Sequence, residues 1–148
     1  MIDGYATHQQ ALIKAALESK GDILETGCGY YSTPLLYEIC KARGTKLISM
    51  VQDMEWANNF KQLIGEHYEQ IVVNFDNKLP LKGKYGMVFL DHEQFVKDRI
   101  LHMENLFNHT NVIVAHDSQL IRNYRHLPFS VNVEKFDTLH PHTSIIKK

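Results

Sequence analysis

The chain has 148 residues, 44% of them hydrophobic and 22% charged, ordinary proportions for a globular protein and enough for one core. Sixteen basic residues against seventeen acidic ones leave a net charge of −1 with no block of like charge, which argues against nucleic-acid or membrane-surface binding driven by electrostatics. No apolar run is long enough to span a bilayer, the Met1-Ile2-Asp3-Gly4-Tyr5 start is not a secretory leader, and Cys28 and Cys40 form no CxxC pair, so a single cytoplasmic domain over residues 1–148 is expected.

In chain order the sequence alternates strand and helix. Thr7 to Ser19 predicts an opening helix with Leu12, Ala15 and Ala16 on its apolar side, ended by Gly21. Asp22 to Glu25 predicts strand one, running into a glycine-rich turn. A helix then starts near Ser32-Thr33-Pro34, with Thr33 the expected N-cap and Pro34 in the first turn, and Gly44 stops it. Lys46 to Val51 is strand two, and Asp53 caps a helix whose core stripe is Trp56, Phe60, Leu63 and Ile64. Ile71 to Phe75 is strand three; residues 76–84, with Pro80 and Gly83, are too short for a full crossover helix. Tyr85 to Asp91 is strand four, followed by a helix carrying Phe95, Ile100, Met103 and Phe107. Asn111 to His116 is strand five. Val131 to Val133 and Thr143 to Ile146 are strands six and seven, antiparallel partners at one edge because no long helix separates them.

Such alternation implies an α/β fold: a mostly parallel sheet covered on both faces, with ligands bound beyond the carboxyl ends of its strands. After strand one, Glu25-Thr26-Gly27-Cys28-Gly29-Tyr30-Tyr31-Ser32 offers glycines for close backbone approach and the free N–H groups of the next helix. Ser32 replaces the third glycine of a dinucleotide loop, and Glu25 suits a cationic ligand better than a polyphosphate; Glu25 would counter a sulfonium or ammonium, or order the loop. A tight turn without ligand is the plain alternative. After strand two, Val51 holds the place of the acid that grips ribose hydroxyls in adenosine-binding folds, leaving Gln52 for a weaker contact and Asp53 for capping. Asp76 is either a contact to an adenine amine or a turn residue.

Strands four and five end in Asp91-His92 and His116-Asp117. Were the strands neighbours, Asp91 and Asp117 would share a cleft and suit Mg²⁺, or His92 or His116 would act as a general base. The simpler alternative is that both aspartates cap helices. The nine histidines are otherwise scattered, and His140-Pro141-His142 reads as a loop. Trp56 belongs to the core or half-buried beside the cleft; Tyr30 and Tyr31 cover a ligand or pack on the opening helix.

Four runs carry a resemblance: residues 22–34, residues 48–56, Tyr85 to His92 and Val112 to Asp117. Together they resemble the class I S-adenosylmethionine-dependent methyltransferases, and more narrowly a group of small bacterial and phage proteins with the pattern E-x-G-x-G-x-Y-S-T-P. The resemblance implies a three-layer, Rossmann-like fold with seven strands in the order 3-2-1-4-5-7-6 and strand seven antiparallel. It matches Glu25, Gly27 and Gly29 to the cofactor loop and Asp91 to the residue ending strand four. Joined to the reading of the strand ends, the expected S-adenosylmethionine site is Glu25, Gly27, Cys28, Gly29, Tyr30, Ser32, Gln52, Asp53, Asp76 and Asp91, with Asp91, His92, His116 or Asp117 orienting or deprotonating the nucleophile. Phe89-Leu90-Asp91-His92 and Asp117 are also similar to the metal-dependent catechol-type O-methyltransferases. Those enzymes have an Asn as third ligand where this chain has Ser118, so a divalent metal is only an option and no ligand is assigned. The expected function is methyl transfer to an oxygen or nitrogen of a small molecule. The alternatives are a non-catalytic binding or scaffold protein with weakened cofactor affinity, or another S-adenosylmethionine-using enzyme. Neither the methyl acceptor nor the oligomeric state is legible.

Overall fold

A computed structural model describes residues 6–75, 78–92, 96–120 and 127–148, with backbone alone for 96–100 and 120. Seven strands form one sheet: β1 (Ile23–Thr26), β2 (Leu47–Val51), β3 (Tyr68–Val72), β4 (Met87–Leu90), β5 (Val112–His116), β6 (Asn132–Phe136) and β7 (Thr143–Lys147). Their order is β3-β2-β1-β4-β5-β7-β6, as the resemblance implies. Strands β1 to β5 pair in parallel, and β7 runs antiparallel to both β5 and β6. The helices are α1 (Gln9–Glu18), α2 (Thr33–Arg43), the single turn α3 (Met54–Ala57) and α4 (Val96–Leu106).

Side chains alternate between the faces of a strand, and here both faces are covered, so the central strands read as continuous apolar runs. Ile23, Leu47, Met87, Phe89, Val114 and Ile145 enter a core with Ala11, Leu12, Leu36 and Cys40 of α1 and α2. Leu24, Ile48, Val88, Leu90, Ile113 and Ile146 enter a second core with Met103 and Leu106 of α4, Phe107, and Phe75 and Leu79. The segment before β4 thus contributes apolar side chains rather than a helix among its described residues. The result is a three-layer α/β sandwich.

Beyond shifts of one to three residues at the ends of other elements, three differences from the sequence expectation stand out. β3 begins at Tyr68, three residues early, because buried Tyr68 pairs with Leu47, while Val73 to Phe75 leave the ladder and Phe75 turns inward. After Asp53, one α-turn gives way to a 3₁₀ stretch over Asn58–Leu63, whose three-residue period dissolves the expected stripe. Phe60 alone is fully buried there, whereas Trp56 and Ile64 are exposed. Thr33 is the first residue of α2, not its cap; Ser32 holds the cap position without a capping side-chain bond, since Thr33's hydroxyl is engaged elsewhere. Phe95 lies outside the described residues, as does the side chain of Ile100.

The strand entrances also touch. A Cβ on Gly86 would lie 2.4 Å from the Lys20 carbonyl oxygen, and the Gly86 N–H donates to Asp22 O at 2.8 Å. Gly86→Ala must push two backbones apart and is expected to cost about 2–3 kcal/mol, a drop of roughly 6–10 °C in melting temperature. Gly65→Ala, with nothing within 4 Å of its Cβ position, is the matched control and should melt within about 1 °C of wild type.

Candidate functional site

The loop after β1 is built around a buried carboxylate. Glu25 lies on the α1/α2 face of the sheet, opposite Ser49 of β2, and has no exposed surface. Its Oε1 accepts hydrogen bonds from the Ser49 and Thr33 hydroxyls, the latter at 2.7 Å. Thr33 Oγ1 in turn accepts the Gly29 N–H at 2.9 Å, so the carboxylate fixes the loop through one hydroxyl. Oε2 has no hydrogen-bond partner among the described residues. Burial raises the Glu25 pKa to about 7, against the hydroxyls of Ser49, Thr33 and Ser32, which favour the ionised form.

Gly27 sits at φ +85°, and a Cβ there would lie 3.0 Å from the Asp91 carbonyl oxygen. Glycine therefore lets the β1 loop lie directly against the end of β4. Beyond it, the Trp56 indole N–H donates to Cys28 O at 2.7 Å, and the exposed Tyr30 ring packs edge-on against Trp56 at 5.2 Å. Trp56 is thus an exposed ring laid beside the loop, held by Asp53, whose carboxylate accepts the Trp56 backbone N–H at 3.1 Å. Burial pushes the Cys28 thiol up to about 12, so it is neutral and no nucleophile at ordinary pH.

The second half of the site comes from β4 and β5. Leu90 faces the α4 core, so the next residue, Asp91, turns to the α1 side, where His116 also points. His116 Nδ1 and Asp91 Oδ1 are 2.9 Å apart, and Asp117 Oδ2 is 3.9 Å from the same nitrogen. Asp117 reaches inward only because its backbone adopts φ +52° where the strand stops. His116 Nε2 lies 3.3 Å from Thr7 Oγ1, which donates to Pro141 O at 2.8 Å. Strands four and five are neighbours, and their ends converge on one place.

A further residue joins them that the sequence did not single out. His8, at the N-cap of α1, is 4% exposed, packs edge-on against His116 at 4.8 Å and touches Phe89 at 5.0 Å. Among the described residues neither of its ring nitrogens makes a well-formed hydrogen bond, although the Tyr31 backbone favours the protonated ring. Burial lowers its pKa to about 4, outweighing the attraction of Asp91 and Asp117 and a weak contribution from the Tyr31 backbone. Only the excess of nine histidines hinted at it.

Other expected residues lie apart. His92 follows the alternation to the opposite face: it stacks on Phe75 at 4.3 Å, its Nδ1 meets Thr26 Oγ1 at 2.8 Å, and its Nε2 meets His102 Nδ1 at 2.9 Å. Val51 is 2% exposed and Gln52, just after it, is exposed. Ser118, in the place of the catechol-type Asn, accepts a hydrogen bond from the Ser144 hydroxyl at 2.9 Å, while Ser32 is buried beside Glu25. Asp76 lies outside the described residues. His140 and His142 flank Pro141 in the β6–β7 connection, with His140 exposed.

No protein-family model and no curated protein sequence matches the chain. Solved structures do. It is similar to the S-adenosylhomocysteine-bound methyltransferase PaMTH1 of Podospora anserina, with TM-score 0.71 and 14% identity over 99% of this chain and 79% of that one. It is similar to the O-methyltransferase TomG of Streptomyces achromogenes, in complex with S-adenosylmethionine: TM-score 0.69, 15% identity, 99% of this chain and 81% of that one. An O-methyltransferase of Bacillus cereus, in complex with S-adenosylhomocysteine, gives TM-score 0.64 and 14% identity over 100% and 82%. At these identities the likeness establishes the fold, which is that of the class I methyltransferases.

Proposed function

We propose, from the class I methyltransferase fold, that the chain transfers a methyl group from S-adenosylmethionine to an oxygen or nitrogen of a small molecule. One observation carries this reading: the Gly27 loop lies against Asp91, so a cofactor cradle and the Asp91–His116 pair meet at one sheet end. The residues present fit the cofactor. A Cβ on Gly27 would press on the Asp91 carbonyl and push the loop off β4, and the buried Glu25 carboxylate, with Oε2 unpartnered among the described residues, favours a cationic ligand nearby. Gly27, Cys28 and Gly29 would hold it through backbone groups, Tyr30 and Ser32 would border it, and Gln52 and Asp53 would face its ribose.

Bound there, the cofactor supplies a sulfonium methyl with a good leaving group, so positioning is the protein's main task. Asp91 holds His116 by Nδ1, and Nε2, 3.3 Å from Thr7 Oγ1, would take a proton from a substrate hydroxyl or amine that displaces that contact; Asp117 adds negative charge beside the developing imidazolium. Two of the similar structures are described as O-methyltransferases, which favours oxygen. Incubation with methyl-labelled S-adenosylmethionine and a small-molecule extract tests the proposal. The expected result is label in a small-molecule product with S-adenosylhomocysteine in equal amount. Cofactor consumed without an acceptor would instead establish a cofactor-cleaving enzyme.

A scaffold with weakened cofactor affinity is the second reading, and buried Val51 favours it because no acid closes β2. The exposed neighbour offers a test. A carboxylate forms stronger hydrogen bonds to ribose hydroxyls than an amide does, so Gln52→Glu should tighten S-adenosylhomocysteine binding about tenfold by calorimetry. Unchanged affinity would remove residue 52 from the ribose site.

A further inference from the structure

His8, Asp91 and His116 come from α1's N-cap, the end of β4 and the end of β5, elements distant in sequence. One potential ligand atom from each lies within 4.8 Å of the others. The 2.9 Å between His116 Nδ1 and Asp91 Oδ1 is also close to the roughly 3.0 Å between adjacent octahedral ligands about 2.1 Å from an ion, while tetrahedral ligands would need about 3.4 Å. Two buried imidazoles and a half-exposed carboxylate thus surround a small space on the α1 side of the sheet.

The second observation is His8. Among the described residues this buried ring has at most a weak contact to the Tyr31 backbone and no well-formed hydrogen bond at either nitrogen, which proteins rarely tolerate. The neighbouring His116 does not supply that partner, since it directs its nitrogens to Asp91 and Thr7. A cation shared with Asp91 and His116 would satisfy one of those ring nitrogens.

We propose that His8, Asp91 and His116 bind a divalent first-row transition ion. Two imidazoles and one carboxylate select Zn²⁺, Mn²⁺, Fe²⁺ or Co²⁺ over Mg²⁺ and Ca²⁺, which prefer all-oxygen sites. Three protein ligands leave positions open for water or an oxygen donor, with Asp117 beside them. The site differs from the catechol-type arrangement, because Ser118 is engaged with Ser144 and the histidines supply the nitrogen ligands. The inference deepens the methyl-transfer reading: with the ion bound, His116 is a ligand, and the ion in place of His116 would ease deprotonation of a hydroxyl substrate. Ion binding itself does not depend on that reading.

The test uses the full chain, freed of metal by a chelator, and Co²⁺ or Zn²⁺ alone as probe, with no cofactor present. About one equivalent should bind with micromolar or tighter affinity, and Co²⁺ should develop visible d–d absorption. His8→Gln and His116→Gln, checked by circular dichroism and melting, should each weaken binding about 100-fold, at least as much as loss of an outer-shell partner does. His140→Ala should leave it unchanged. No saturable binding in the wild type would overturn the proposal, as would Co²⁺ binding that folded His8→Gln retains, or binding that His140→Ala abolishes. Because S-adenosylhomocysteine affinity is measured separately, a failed metal site and a failed cofactor site give different results.

Discussion

His116→Ala is expected to lower methyl-transfer turnover by about 10²- to 10⁴-fold while leaving S-adenosylhomocysteine affinity within about twofold. The imidazole is 6% exposed and its Nδ1 lies 2.9 Å from Asp91, at the carboxyl end of β5, two strands from β1 and its Gly27 loop. Removing it deletes the proton acceptor, or the ligand of an ion doing the same work, without touching the cradle. Asp91→Asn keeps the shape but loses the charge that orients the ring and should fall in the same direction. The decisive readout is the split between kcat and the KM for cofactor: a loss in KM alone would make His116 a structural residue.

The second large effect concerns Glu25 and its dependence on pH. With its folded pKa near 7 and an ordinary unfolded value of 4.5, the folded protein keeps a proton that the unfolded chain has already lost between those values. Stability therefore falls as pH rises through this window, by about 3 kcal/mol in all, and levels off above pH 7. In metal-free protein His8 acts oppositely. Its folded pKa of about 4 against 6.5 unfolded means the unfolded chain binds the extra proton, so stability rises with pH from about 4 to 6.5. The two nearly offset each other between pH 4.5 and 6.5. Denaturant titrations should show a weak slope in wild type there. Glu25→Gln should unmask a rise of about 2–3 kcal/mol across the same range. A flat Glu25→Gln profile would mean that one of these two buried groups is not held in the stated form.

The sheet was legible because its apolar strand runs and its strand-end residues come in a recognisable order, and burial on both faces produces such runs. β3 was misplaced because Tyr68-Glu69-Gln70 looks polar, yet its register against Leu47 to Ser49 puts Tyr68 in the core. The Trp56–Ile64 stripe failed because an α-helical period was assumed where the chain winds as a 3₁₀ turn. At the site, Asp91, His116 and Asp117 were legible from their position after adjacent strands. His92 and His8 were not. One residue of alternation separates His92 from Asp91 and sends it to Phe75, and His8 joins the site only once α1 packs over β4 and β5. Neither fact is local in sequence.

Calorimetric titration of the full chain with S-adenosylhomocysteine tests the central claim most directly. The cradle of Gly27, Gly29 and Glu25 predicts saturable binding of about one equivalent, with a dissociation constant of roughly 1–100 μM, in the range where enzymes meet their substrates. No binding up to about 1 mM would contradict the account and leave a methyltransferase fold without its cofactor.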